Sequence, residues 1–205
     1  MDGSAAPFIF LMECAGVVEQ NTIRKVLRIT KPVIYRNGSK EVGLSPANNS
    51  LEIDFKISFS APAVGDQSCS FNIDRDVFKT EISKARTFGF LSDVTALREA
   101  GLARGGSLEN AIVVDGDRIL NDDGLRHADE FVRHKALDAI GDLYLTGHRM
   151  IGHFHGICSS HADTANLLRK VFKDQANWEL IDAVGDMVPN TSVHWAEPMH
   201  KVAAR

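Results

Sequence analysis

Cysteine is scarce in this chain: Cys14, Cys69 and Cys158 are the only three among 205 residues. They are odd in number and far apart, with no Cys-x-x-Cys pair. That pattern excludes a disulfide framework and a thiolate zinc site, and it fits a reducing compartment. A basic excess is lacking too. Lys and Arg number 23 against 27 Asp and Glu, a formal charge of −4, so no broad cationic surface is available for nucleic acid. No apolar run is long enough to span a bilayer, since the stretch from Ala5 to Met12 is stopped by Glu13. The opening Met1-Asp2-Gly3-Ser4 carries an acid where a secretory signal would carry cations. A soluble cytoplasmic protein with no transmembrane segment is the expectation. No internal repeat or low-complexity tract of solenoid period is present.

What remains is an ordinary globular composition, 44% hydrophobic and 24% charged. The spacing predicts a first helix from Ser4 to Glu19, with Ser4 as cap, Pro7 in the first turn and Phe8, Leu11, Met12 and Ala15 on one face. It is apolar almost all round, which predicts burial between other elements. A β-rich stretch follows from Val26 to Tyr35, and Asn37-Gly38 is a two-residue hairpin signal returning through Glu41 to Ser45. From Leu51 to Phe59 apolar and polar residues alternate strictly, as in a strand with one wet face. Ser68 to Ile73 adds another strand, and Asp74 caps a helix from about Arg75 to Ala85. Ala111 to Val114 reads as a short strand, with Asp115-Gly116 turning toward Arg118-Ile119-Leu120. A helix through His134 runs to about Leu145 and ends at Gly147. Arg149 to Ile157 reads as a strand. Ser160 caps a last helix from His161 to about Trp178, with Leu168, Val171 and Phe172 inward. Beyond Trp178 the pattern assigns nothing. Strands first and helices afterwards predict an α+β fold, a two-layer sheet-and-helix sandwich.

The segment with chemistry in it is Phe131 to Asp142. His134, Asp138 and Asp142 recur every fourth residue, so they lie along one side of the helix. An imidazole and a carboxylate one turn apart suit zinc, but two protein ligands are too few. Asp142 is either a third ligand or an acceptor that orients an imidazole. Spacing alone favours a blander reading, a solvated face or a helical ion pair. His148, His153, His155 and His161 cluster downstream. His161, in the first turn of its helix, is either an acid/base group or an exposed turn residue. Gly105-Gly106 is not a phosphate loop, because no Lys-Ser/Thr follows.

Several blocks fall in register with one known family. They are Met1-Asp2-Gly3-Ser4-Ala5-Ala6-Pro7-Phe8, Ser83 through Phe90, Gly105-Gly106-Ser107, Ala111 through Val114, Asn121 through Arg126, Phe131 through Asp142, and Ser160-His161-Ala162. Through them the chain resembles the UDP-3-O-acyl-N-acetylglucosamine deacetylases, zinc amidases of lipid A synthesis in Gram-negative bacteria. The resemblance implies that His134 and Asp138 are two of three zinc ligands and that His161 protonates the leaving amine. It implies that Asp142 supports His161, and that Lys135 and Thr87 hold substrate and the developing oxyanion. Phe88 and Phe90 would line the glucosamine site. Val94, Ala103, Gly106, Ser107, Ala111 and Val113 would line an acyl passage in an insert at about 88–115.

The resemblance also sets an organisation. Residues 1–20 would be the final helix of a first domain, 21–178 the second half of a two-domain deacetylase fold, and 179–205 a tail. The third ligand, a histidine, and a general-base glutamate would lie in the family's first half, and neither motif occurs here. Ser160 stands where the family usually has glycine, Thr164-Ala165 where asparagines are common, and Arg104 beside the acyl passage. The implied reaction is hydrolysis of the N-acetyl group of a UDP-sugar carrying a 3-O-acyl chain, by a protein that is monomeric at full length. The alternative is a non-catalytic remnant that binds metal or ligand weakly.

Overall fold

The computed structural model describes residues 2–18, 20–101 and 105–183. Its centre is a mixed seven-stranded sheet: β1 (Lys25–Ile29), β2 (Val33–Asn37), β3 (Lys40–Ser45), β4 (Leu51–Ser58), β5 (Asp66–Ile73), β9 (Arg149–Ile157) and β10 (Trp178–Asp182). The longest of these, β9, organises the sheet. It pairs in parallel with β1 along residues 149–151 and with β4 along 152–157, and antiparallel with β3 along 153–157. A smaller sheet is formed by β6 (Phe88–Phe90), β7 (Ile112–Asp115) and β8 (Arg118–Ile119), with helix α3 (Leu91–Glu99) between its first two strands. Helices α4 (Glu130–Leu143) and α5 (His161–Phe172) pack on one face of the large sheet, which makes the chain α+β.

Alternation in β4 does what its sequence requires. Leu51, Ile53, Phe55 and Ile57 are buried, while Glu52, Asp54, Lys56 and Ser58 face outward. Phe154 of β9 and Phe131, Val132, Ala136, Ala139, Ile140 and Leu143 of α4 complete the core between sheet and helix. After α4 the chain tightens into a 3₁₀ turn, Tyr144–Thr146, and stops at Gly147, which takes the left-handed conformation (φ 77°) that this ending needs.

Five readings are corrected. The first helix, α1 (Ala6–Ala15), is capped at Ala5, not Ser4, and none of its residues is buried: Phe10 is 64% and Met12 59% exposed. Its N-terminal end is held by Ala5 N–H on the Ser83 carbonyl and by Asp2 against Arg126, and Lys79 pairs with Glu13, but its apolar outer face is left open. The hairpin turn is Gly38-Ser39, one residue later than read, because Asn37 still pairs with Lys40 and Gly38 supplies the positive φ. Helix α5 stops at Phe172, which is exposed, and Leu167 is buried in its place. Trp178, read as the end of that helix, and the unassigned residues after it to Asp182 form β10 against β1. The helix after Asp74 also departs from the α form: Asp74 caps Val77 (α2, Arg75–Val77), and Phe78–Ile82 then widens into a π turn.

Beneath α4 lies one fully buried ion pair. Glu130 accepts from Nε of Arg86 at 2.9 Å and from Nη2 at 3.2 Å, and also from the backbone N–H groups of Arg86 and Arg126. Burial pushes the Glu130 carboxyl up, but the hydrogen bonds from Arg86 and Arg126 outweigh it and hold it below the ordinary carboxylate range.

Two outcomes follow. Arg86→Met strands a buried carboxylate, so urea unfolding at pH 7 is expected to lose about 3–5 kcal/mol. Because the folded pKa of Glu130 is depressed, its contribution is complete above the ordinary carboxylate pKa and disappears as pH falls through the lowered value, where the gap between the two proteins closes. The open face of α1 makes the chain self-associate in light scattering, and Phe10→Gln with Met12→Gln reduces that association at unchanged stability.

Candidate functional site

Helix α4 runs past a cleft of about 770 Å³ lined by His134, Lys135, Asp138, Thr87, Phe88 and His161, with Lys40 and Phe59 on its wall. The four-residue spacing places the side chains as the sequence implies. His134 Nε2 lies 3.3 Å from Asp138 Oδ1, and Asp138 Oδ2 accepts from Lys135 Nζ at 2.8 Å. One turn further, Asp142 faces His161 at the start of α5, its two carboxylate oxygens 3.0 and 2.9 Å from Nδ1. The other nitrogen of His161 lies 3.8 Å from Asp138 Oδ2. Two imidazoles and two carboxylates thus form one contiguous row.

Local structure fixes each member. The Asp163 carboxylate accepts from both the N–H and the hydroxyl of Ser160 and from the Asn37 side chain, which sets the start of α5 and so the base of His161. Thr87 is held between the Gly3 carbonyl, which accepts its N–H, and the Ile112 N–H, which its own carbonyl accepts. Phe88 stands edge-on to both Phe131 and His134.

The state of His134 follows from its surroundings. Its Nδ1 lies 3.1 Å from the Ala85 carbonyl oxygen, which has no proton to give, so Nδ1 carries the hydrogen. Burial lowers the imidazole pKa against the pull of Asp138, so the ring is neutral and Nε2 is a bare lone pair. That lone pair faces a carboxylate oxygen at 3.3 Å, two acceptors with no proton between them. A cation relieves such a contact, and one neutral imidazole nitrogen with one carboxylate oxygen is a zinc-compatible donor pair. Among the described residues no further His, Cys, Asp or Glu joins them in a group that could hold a metal ion.

The other histidines go elsewhere. His153 Nε2 pairs with Asp54 at 2.8 Å and His155 Nε2 with Glu41 at 3.0 Å, on strand positions that alternate with the buried Phe154. Gly43, cross-strand from His155, leaves room for its ring, since a Cβ there would lie 2.2 Å from the imidazole.

Of the residues read as substrate-lining, Phe88 is in the cleft. Phe90 lines a neighbouring cleft of about 510 Å³, and Phe59 borders both. Val94 is half-buried on α3, Gly106 and Ser107 are exposed, and Ala111 and Val113 are half-buried around β7; none of the five lines either cleft. Ala103 falls outside the described residues.

Sequence reasoning missed Phe59, Ser39, Lys40, Cys158 and Ser159, all of which line the main cleft. Ser159 keeps a buried hydroxyl with no hydrogen-bond partner among the described residues. Cys158 adopts a positive φ of 49° there. Only Phe59, an aromatic at the end of an alternating strand, left any signal.

Comparison with known proteins points one way. The model of the family described as UDP-3-O-acyl N-acetylglycosamine deacetylase matches residues 1–173. A UDP-3-O-acyl-N-acetylglucosamine deacetylase of Acidithiobacillus ferrooxidans is 49% identical over 184 residues, 89% of this chain and 60% of that protein. One of the same description from Idiomarina loihiensis is 48% identical over 183 residues, 88% of this chain and 60% of its own length. The chain therefore spans about 60% of the length of these relatives. With a match over most of its residues, this chain belongs to the UDP-3-O-acyl N-acetylglycosamine deacetylase family.

Proposed function

We propose that this chain carries the metal-binding and proton-donating side of a zinc-dependent deacetylase. The reaction hydrolyses the N-acetyl group of a UDP-sugar bearing a 3-O-acyl chain, giving acetate and the free amine, the committed step of lipid A synthesis. The observation behind this reading is the continuous row His134–Asp138–His161–Asp142 along one cleft, with Lys135 and Thr87 beside it.

His134 through Nε2 and Asp138 through a carboxylate oxygen would hold the ion, and the chemistry supplied there is Lewis acidity toward the acetyl carbonyl and water. Asp142 accepts the Nδ1 hydrogen of His161 and so leaves Nε2 as the atom that carries a proton to the departing nitrogen. That transfer is needed because an amide anion is a hopeless leaving group at neutral pH. The Lys135 ammonium and the Thr87 hydroxyl offset charge on the carbonyl oxygen as it becomes tetrahedral. The aromatic pair Phe88 and Phe90 would contact the sugar, and the segment from Val94 to Val113 the acyl chain.

In the same reading, residues 1–20 end a first domain, 21–178 form the second and 179–205 a tail, whose first residues continue β10 to Asp182. The third zinc ligand and a general base come from the portion of the family's length that this chain does not span. Location is cytoplasmic and the full-length protein is a monomer.

The absence of a third donor among the described residues favours a second reading, a remnant with weak metal binding and no turnover. Zinc titration and amine release, measured on the 205-residue chain and on the protein restored to family length, separate the two. The restored protein is expected to bind zinc tightly and release acetate; failure to do so with zinc present removes the deacetylase reading. Tight zinc and turnover by the 205-residue chain alone would remove the remnant. In the active protein His161→Gln is expected to cut kcat by about 10²- to 10⁴-fold with KM little changed.

A further inference from the structure

The peptide joining Ala85 to Arg86 is gripped at both ends by one helix. Its carbonyl accepts from His134 Nδ1 at 3.1 Å, and its N–H donates to Glu130 Oε1 at 2.9 Å. Glu130 and His134 are one turn apart on α4, and a planar trans peptide points its two polar groups in opposite directions, so a single rigid unit bridges that turn. The carboxylate is fully occupied. Oε1 also accepts from Arg86 Nε, and Oε2 from Arg86 Nη2 and the Arg126 N–H.

A buried carboxylate is an expensive way to hold a loop, and apolar packing of the same volume is often as stable. What it adds here is polarisation. A negative charge on the N–H end of a peptide shifts electron density toward its carbonyl oxygen, because hydrogen bonds in a chain reinforce one another. A stronger acceptor at Ala85 binds the Nδ1 hydrogen of His134 more firmly and disfavours the other tautomer.

We propose that Glu130 is a positioning residue that acts through the Ala85–Arg86 peptide to lock His134 in the Nδ1–H tautomer, with its Nε2 lone pair presented to the cleft. The benefit to metal binding rests on the deacetylase reading; the tautomer does not. Metal ligands are commonly oriented by such an outer acceptor, and loss of one typically costs about 10- to 100-fold in metal affinity.

The test is long-range ¹⁵N–¹H spectroscopy of metal-free protein labelled at histidine nitrogen, with His134→Ala assigning the resonances. Wild type is expected to show a protonated Nδ1 and a bare Nε2 at His134. Glu130→Gln is expected to mix the tautomers and to weaken zinc binding about 10- to 100-fold. Arg86→Lys, which keeps the backbone N–H on Glu130 but loses the guanidinium fork, lowers the unfolding midpoint while keeping a single tautomer. A protonated Nε2 in wild type overturns the proposal, and that measurement stands even if Glu130→Gln does not fold. A folded Glu130→Gln with an unmixed tautomer and wild-type zinc affinity overturns it equally. Zinc affinities are compared in the protein restored to family length, and failure of that wild-type protein to bind zinc would count against the deacetylase reading alone.

Discussion

The seating of α4 on the sheet is the constraint from which the rest of the site follows. Phe131, Val132, Ala136, Ala139, Ile140 and Leu143 bury one side of the helix, which fixes its rotation about its own axis. Once that rotation is set, residues four apart cannot stay in a straight line. At 3.6 residues per turn each step of four overshoots by about 40°. Glu130, His134, Asp138 and Asp142 therefore wind around the flank of the helix. The first meets the Ala85–Arg86 peptide, the middle two face the cleft, and the last reaches α5. One helix with one rotation serves three neighbours.

This geometry explains why the row was legible in the sequence and its supports were not. Period and spacing put His134, Asp138 and Asp142 on one side of a helix, and the family blocks added His161. Strand β4 was equally plain from its alternation, and β9 was read with the bounds it has, Arg149 to Ile157. What the sequence could not announce were contacts made by the main chain. The Ala85 carbonyl and the Arg86 N–H leave no mark in residue type. Nor does the π turn at Phe78–Ile82, nor β10, whose existence depends on a distant partner strand, Leu27 of β1 pairing with Leu180, 153 positions away. Lys40 and Ser159 enter the cleft from a hairpin and a loop, so only the folded chain brings them to His134. The apolar character of α1 predicted a covered helix, because composition reports what a surface prefers and cannot name what is present to cover it.

The same limit applies to histidine. The imidazoles that cluster downstream of the helix include His153 and His155, yet strand geometry sends them away. Side chains alternate across β9, so placing Phe154 in the core puts both neighbours on the other face. There they pair with Asp54 and Glu41 across the strands, and Gly43 makes the space for one of the rings. A residue type suited to metals is thus used for cross-strand pairing, while the imidazole in the cleft is distinguished by its burial and its fixed hydrogen. Cys69 is a similar case: burial pushes its thiol up to about 12, which leaves it a small apolar filler rather than a nucleophile.

Asp163 shows how the two walls of the cleft are made to depend on each other. Burial pushes its carboxyl up, but the hydrogen bonds from Ser160 and Asn37 hold it below the usual range, so it is an anion with three donors. Two of those donors belong to Ser160, immediately before His161, and the third to the last residue of β2. The hairpin that follows carries Ser39 and Lys40 on the cleft wall. A shift of α5 would therefore pull the hairpin with it, since Asp163 ties the start of α5 to Asn37 while Asn166 and Lys170 tie its later turns to the Tyr35 hydroxyl and the Ile34 carbonyl of β2. Ser160 strengthens that link, because its hydroxyl supplies a donor that glycine at the same position cannot. That hydroxyl thus tightens the start of α5, which carries His161 to its place beside Asp142.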